Sequence, residues 1–396
     1  MIVDDLLRYA TEATGRTDFG DDEMFGGDGW REGLRRLVGS FNTEAALHDL
    51  GRVVVQGELV TYLSNRLRIV AHHREHPEMR EREVTPPVII IGQARTGTTM
   101  LFDLLAQDPA HRVPLTWEVD RPLPPPRTET YDTDPRIAET EATFELVDSI
   151  IPEFRSVHQL GAQLAQECLR MTASAFISPI FPTQYEIPSY LDWLTHDAVE
   201  DGHVAAAYTW HRRFLEVLQS EHPGQRWLLK SPSHTWMLPQ LLREYPNALL
   251  VQTHRDPARV MASTTSLVAM LRRLGTDRIE PDSIATEFSE FILDGLERST
   301  EARLDGTIAP DRVVDVQFDA MMREPMRCVE AVYAGFGWEL STAARERMEL
   351  FLRGNSRESH GGSHHYTFAD TGLDLAAVRA RTARYSKHFD VPHEPC

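Results

Sequence analysis

One short stretch is built to hold an anion. In VIIIGQARTGTTML, residues 88–101, Gly92 and Gly97 stand five apart, and Thr98 and Thr99 follow directly. The nucleoside-triphosphate loop reads G-x-x-x-x-G-K-[ST]. Every element of that pattern is kept except the lysine, where Thr98 stands. A strand that enters a glycine turn and then a helix aims several backbone N–H groups at one point, and the helix dipole favours negative charge there. Gly92 permits the tight turn, and Gly97 lets a phosphate approach the backbone. Arg95 lies inside the loop and can grip a phosphate in bidentate fashion from the side. It does not reach along a triphosphate. The spacing points to a nucleotide without a β,γ-phosphate chain. The structural alternative is a strand-to-helix turn with a capping threonine.

Three further stretches carry chemistry. In LLVQTHRDPARVMAS, Arg255 follows a strand-like run, and Pro257 suits the first turn of a helix. Ser263 lies two helical turns beyond Arg255, on nearly the same face. Together they could hold a second phosphate; the alternative is an Arg–carboxylate pair. The HRD within it lacks the asparagine and the D-F-G of a protein kinase. In WLLKSPSHTW, a strand delivers Lys230, Ser231 or Ser233 caps the next helix, and His234 sits in its first turn. A helix N-terminus disfavours imidazolium, so His234 is expected to be neutral and able to accept a proton. In LGAQLAQECLRM, Leu160, Leu164 and Met171 recur at helical spacing, with Glu167 on the same face. An apolar setting would raise the pKa of Glu167 towards that of a useful base, unless an arginine pairs with it. His72–His73 and His364–His365 lack metal-ligand spacing, and no strand ends in a convincing acidic ligand, although VVDV contains Asp315. No metal site is expected.

The elements that must position these residues follow from periodicity. PPVIII, RWLLK (226–230), ALLVQTH (248–254) and RVVDVQF (312–318) read as buried strands, and HRVPLTWEV as a further one. Helical patterns separate them. Short apolar strands alternating with helices imply an α/β fold with a mostly parallel sheet covered on both faces. Ligands bind such sheets at the carboxyl ends of the strands, where the glycine loop, Arg255 and Lys230 converge. Residues 1–83 are expected as a helical N-terminal extension, a lid or a homodimer contact. Residues 84–396 form the α/β domain, with a helical insertion at about 135–221 on the acceptor side.

Composition narrows the classes. The chain has 396 residues, and 41% are hydrophobic, ample for a core. No apolar run approaches the roughly 20 residues of a membrane helix. The acidic start MIVDDLLRYATEATG lacks the form of a signal peptide. A soluble, cytoplasmic protein is expected. Cys168, Cys328 and Cys396 are scattered, which suits a reducing compartment better than disulfides or zinc. A net charge of −19 argues against nucleic-acid binding, so local cations must hold any anion. Lys230 and Lys387 are the only lysines among 41 basic residues, which singles out Lys230.

GQARTGTT followed by HRDPARVMAS resembles the paired nucleotide signatures of the sulfotransferases that use 3′-phosphoadenosine-5′-phosphosulfate (PAPS). KSPSH and HHYTFADTGLD are similar to the bacterial, actinobacterial-type branch. The resemblance spans about residues 86–390. It implies a P-loop nucleotide-kinase-like fold. It implies that Arg95, Thr96, Gly97, Thr98 and Thr99 hold the 5′-phosphosulfate, that Arg255 and Ser263 hold the 3′-phosphate, and that Tyr366 adds a nucleotide contact. PAPS has no γ-phosphate, so the missing lysine has no task. Transfer to an acceptor hydroxyl needs a base, Glu167 or else His234. Arg95 and Lys230 would serve the leaving phosphate of the product, adenosine 3′,5′-bisphosphate (PAP). Relatives carry proline and serine around the loop arginine where this chain has Ala94 and Thr96; both changes keep the backbone donors. FISPIFPTQYEIPSYLDWL hints at an apolar or glycolipid acceptor. Two other readings remain: a Mg²⁺-dependent P-loop-like kinase or NTPase, and a nucleotide-binding protein without catalysis.

Overall fold

The computed structural model describes residues 1–150, 161–354 and 367–395. Tyr366, Leu160 and the His364–His365 pair lie outside the described residues.

Five strands form one parallel sheet: β1 (Pro87–Ile91), β2 (His111–Arg112), β3 (Arg226–Lys230), β4 (Leu249–His254) and β5 (Val313–Gln317). Their order is β2-β3-β1-β4-β5. β1 is therefore central, with β3 and β4 as parallel neighbours. Every residue of β1 is buried. Ile89 and Ile91 enter the core on one face, and Val88 and Ile90 that on the other. This accounts for the unbroken β-branched run, since a strand covered on both sides cannot alternate.

β2 is shorter than HRVPLTWEV suggests. Pro114 cannot donate to a ladder. The Glu118 carboxylate then accepts from the Leu115 N–H at 2.8 Å and starts the helix Thr116–Asp120. Arg112, at the end of β2, makes two hydrogen bonds to Glu118, and both side chains are buried.

The N-terminal helices Val3–Thr14, Gly29–Thr43 and Asp49–Glu75 do not stand apart from the sheet. Leu6, Leu34, Leu59, Leu63 and Leu67 join the same core as Ile89 and Leu229. The aromatic run at 176–194 packs there too: Phe176, Phe181, Tyr190, Trp193 and Leu194 are all buried. Its apolar character serves packing, so it does not by itself mark a ligand surface.

Candidate active site

The loop after β1 is a left-handed turn on both sides of Arg95. Gly92, Arg95 and Gly97 have φ of 135°, 69° and 86°. At Gly92 a Cβ would lie 2.2 Å from Thr253 Oγ1 and 2.8 Å from the Thr253 carbonyl oxygen. Contact with β4 therefore requires glycine, beyond the turn itself. Gly92→Ala should lower the free energy of unfolding by about 2–4 kcal/mol, from overpacking plus backbone strain. Denaturant titration measures this, and an unchanged midpoint would contradict it. Gly97 caps the helix Thr98–Leu105, whose first N–H groups open on the loop.

The threonines divide their work. Thr96 Oγ1 donates to the Gln93 carbonyl and lies 2.6 Å from Thr253 Oγ1. Its hydroxyl braces β1 against β4, which leaves the backbone N–H as its contribution to an anion. Thr98 is buried and Thr99 is exposed. Arg95 donates from Nε to Ser263 Oγ at 2.9 Å, so the loop and the second motif meet directly. Among the described residues Arg95 has no carboxylate partner. Although Arg95 is exposed, desolvation by the surrounding loop, and then the like charge of Arg255, lower its pKa.

Arg255 follows β4. Asp256 caps the helix Pro257–Arg272 by accepting from the Ala258 N–H. The Arg255 guanidinium lies 3.7 Å from the Phe318 ring centroid and donates to the Arg95 carbonyl at 3.0 Å. It also donates to both carboxylate oxygens of Glu394, at 2.8 and 3.0 Å. Neither Phe318 nor Glu394 was expected at the site. Phe318 directly follows β5 at the ligand edge, a signal that could have been read. Asp315 is engaged elsewhere, with Arg303 and His254. Burial opposes its ionisation, yet those partners hold it well below the usual carboxylate range.

Lys230 ends β3 opposite Ile90 of β1, with a buried side chain. Its Nζ donates to Thr99 Oγ1 at 3.2 Å and to Glu167 Oε1 at 2.5 Å. One cation thus joins the phosphate-type loop to a carboxylate. Glu167 is not on a helical apolar stripe. It is the N-cap of the short helix Cys168–Ala173. The preceding segment is a turn followed by a single bridge: Gln166 donates to the Pro114 carbonyl, and Ala165 bridges Leu115. Glu167 pairs with the rare lysine instead of an arginine.

His234 sits in the turn Pro232–Trp236, capped by Ser231 as expected. Its Nδ1 lies 2.7 Å from the Tyr208 hydroxyl, and its buried Nε2 has no partner among the described residues. If Tyr208 donates to Nδ1, one group goes unsatisfied, the Nε2–H. The reverse strands both the tyrosine proton and Nε2. The first arrangement is assigned on that ground. His234 shares a narrow crevice with Cys168, Leu169, Thr172, Ile177 and Met237. Burial, and then His211, push its pKa down to about 3. The neutrality expected from a helix end thus has burial as its main cause. His211, paired with Tyr245, is also pushed down to about 3 by burial.

These two rings give a pH dependence. Unfolded histidine titrates near 6.5, so below that value the unfolded chain binds protons that the fold refuses. Stability is fully present above about pH 6.5 and falls towards pH 3, by on the order of 2 kcal/mol per ring at about pH 5. Denaturant titrations at about pH 5 and 7.5 test this, and His211→Phe should flatten the dependence.

A parallel sheet with a glycine turn at its central strand and cations arriving from both neighbours defines a phosphate-loop α/β protein. The sequence model of the sulfotransferase family matches residues 86–342, and the chain belongs to that family. It is 24% identical over 262 residues to the omega-hydroxy-beta-dihydromenaquinone-9 sulfotransferase Stf3 of Mycobacterium bovis, a match over 64% of this chain and 63% of the relative. The Mycobacterium tuberculosis Stf3 matches to the same extent. The chain thus matches less than two thirds of the length of these curated relatives. Two solved structures are similar nearly throughout. Sulfotransferase STF9 of Mycobacterium avium has a TM-score of 0.89 at 28% identity, covering 100% of this chain and 98% of that one. Sulfotransferase STF1 of Mycobacterium tuberculosis H37Rv has a TM-score of 0.83 at 30% identity, covering 97% and 98%. Among the described residues no helix is long and apolar enough to cross a membrane.

Proposed function

We propose that this chain moves the sulfuryl group of PAPS to the hydroxyl of an apolar, lipid-like acceptor. The observation that carries the reading is Lys230, whose Nζ bonds both Thr99 on the loop and Glu167. A group transferred between the loop and Glu167 would pass beside that charge. The backbone N–H groups of Arg95, Thr96, Gly97, Thr98 and Thr99, with the Arg95 guanidinium, hold the 5′-phosphosulfate. Arg255 and Ser263 hold the 3′-phosphate, and Tyr366 adds a nucleotide contact.

Glu167 takes the acceptor proton while the new O–S bond forms in line with the bond that breaks. The electron pair of the broken bond goes to the phosphate oxygen, where Lys230 and Arg95 stabilise the developing charge. His234 is a secondary candidate for the base: its assigned tautomer carries a proton on Nε2. The acceptor class rests on the Stf3 name, which specifies a hydroxylated menaquinone. The helices of residues 1–83 and the described helices from Cys168 to Gln219 frame the acceptor side; Tyr185 donates to Glu58 between them. The buried free thiols Cys168 and Cys328 suit a cytoplasmic setting.

The test uses PAPS labelled with ³⁵S and a set of hydroxylated isoprenoids, long-chain alcohols and phenols. Label in a sulfate ester, with PAP released in equal amount, is expected. PAP release without acceptor dependence, or no transfer to any hydroxyl, would contradict the reading.

A further inference from the structure

Arg255 already holds a carboxylate of the chain itself. After the helix Leu375–His388, the segment is pinned to the sheet. Phe389 stacks on His254 with ring centroids 4.3 Å apart, its carbonyl accepts from Gln317 Nε2, and Val391 is buried. The Glu394 N–H then donates to Asp256 Oδ2 at 2.7 Å, which sets the residue beside the start of the Arg255 helix. Its two oxygens meet Nε and Nη2 of Arg255 in a fork, and Oε2 lies 3.9 Å from Arg259 Nε. A phosphate would take that same planar, two-point contact. Both side chains remain partly open to solvent, at 14% for Arg255 and 20% for Glu394.

We infer that Glu394 is an internal anion which occupies the 3′-phosphate position on Arg255 and is displaced when the nucleotide binds. The inference rests on the assignment of Arg255 to the 3′-phosphate. It makes the segment after the last helix a brake on nucleotide affinity. Entry of the 3′-phosphate breaks the Arg255–Glu394 pair, and return of the carboxylate helps the bisphosphate leave. Arg255 loses neither its stacking on Phe318 nor its bond to the Arg95 carbonyl in the exchange.

Calorimetric titration of the full chain with PAP and with ADP, which lacks the 3′-phosphate, tests this on wild type, Glu394→Gln, Glu394→Ala and Arg255→Ala. Both Glu394 variants should bind PAP about fivefold more tightly, with ADP affinity unchanged. Glutamine keeps the shape of the side chain, so it covers the case in which alanine loosens the segment. PAP affinity that stays constant or weakens in both variants would overturn the inference and make Glu394 a support for Arg255. If wild type and Arg255→Ala bind PAP equally, the 3′-phosphate assignment itself fails, and the inference with it. The Arg255→Ala arm separates these two failures.

Discussion

Glu167→Gln is expected to slow sulfuryl transfer by about 10²- to 10⁴-fold, the usual contribution of a positioned general base. PAP affinity should stay within about twofold of wild type, because Glu167 does not touch the phosphate-type loop and the loss is in the chemical step. Glutamine preserves the shape and the oxygen that accepts from Lys230 Nζ, but it cannot take the acceptor proton. The structural cost should be small for the same reason. Removing the half-buried carboxylate outright would leave the buried Lys230 charge without its ion pair, whereas glutamine still offers it a hydrogen bond. Single-turnover rates, with PAP titration and thermal melting of the same variant, check the result. A transfer rate close to wild type would show that Glu167 is only the counter-ion of Lys230. It would assign the acceptor proton to another group, with His234 the next candidate.

Arg255→Ala carries the second large effect. It removes a guanidinium that makes charge-assisted contacts and sits beside a second cation, Arg95. The expected loss in PAP affinity is about 30- to 100-fold, equivalent to roughly 2–3 kcal/mol for hydrogen bonds to a charged group. ADP affinity should change far less, since its phosphates address the Arg95 loop. A parallel loss for both nucleotides would mean that Arg255 acts by holding the Arg95 carbonyl and shaping the loop. The comparison of the two ligands in one variant separates those roles.

How much of this was legible in the sequence depends on how local each cause is. The Gly92–Gly97 spacing after an apolar run announced the loop because a turn of that kind is set by neighbours in the chain. Lys230 stood out by rarity and by its place at a strand end, and the sheet brings it to the loop. Glu167 was singled out for the wrong structural reason. The leucine spacing around it suggested a helix, yet 162–164 form a turn whose backbone bonds to 114–117 keep the segment out of a helix. The second strand was overlong because the Arg112–Glu118 pair is a tertiary choice that propensity does not see. His234 was rightly expected to be neutral, but burial by distant helices does most of that work. Glu394 carried no signal. Its partner lies 139 residues away, and only the packing of Phe389 and Val391 brings it there. The aromatic run at 176–194 shows the converse, since its apolar character was legible and its destination in the core was not.

Calorimetric titration of the wild-type chain with PAP, ADP and ATP with Mg²⁺ tests the central claim most directly. PAP should bind most tightly, with the 3′-phosphate contributing about 30-fold or more over ADP. Preference for ATP with Mg²⁺, or equal affinity with and without the 3′-phosphate, would contradict it.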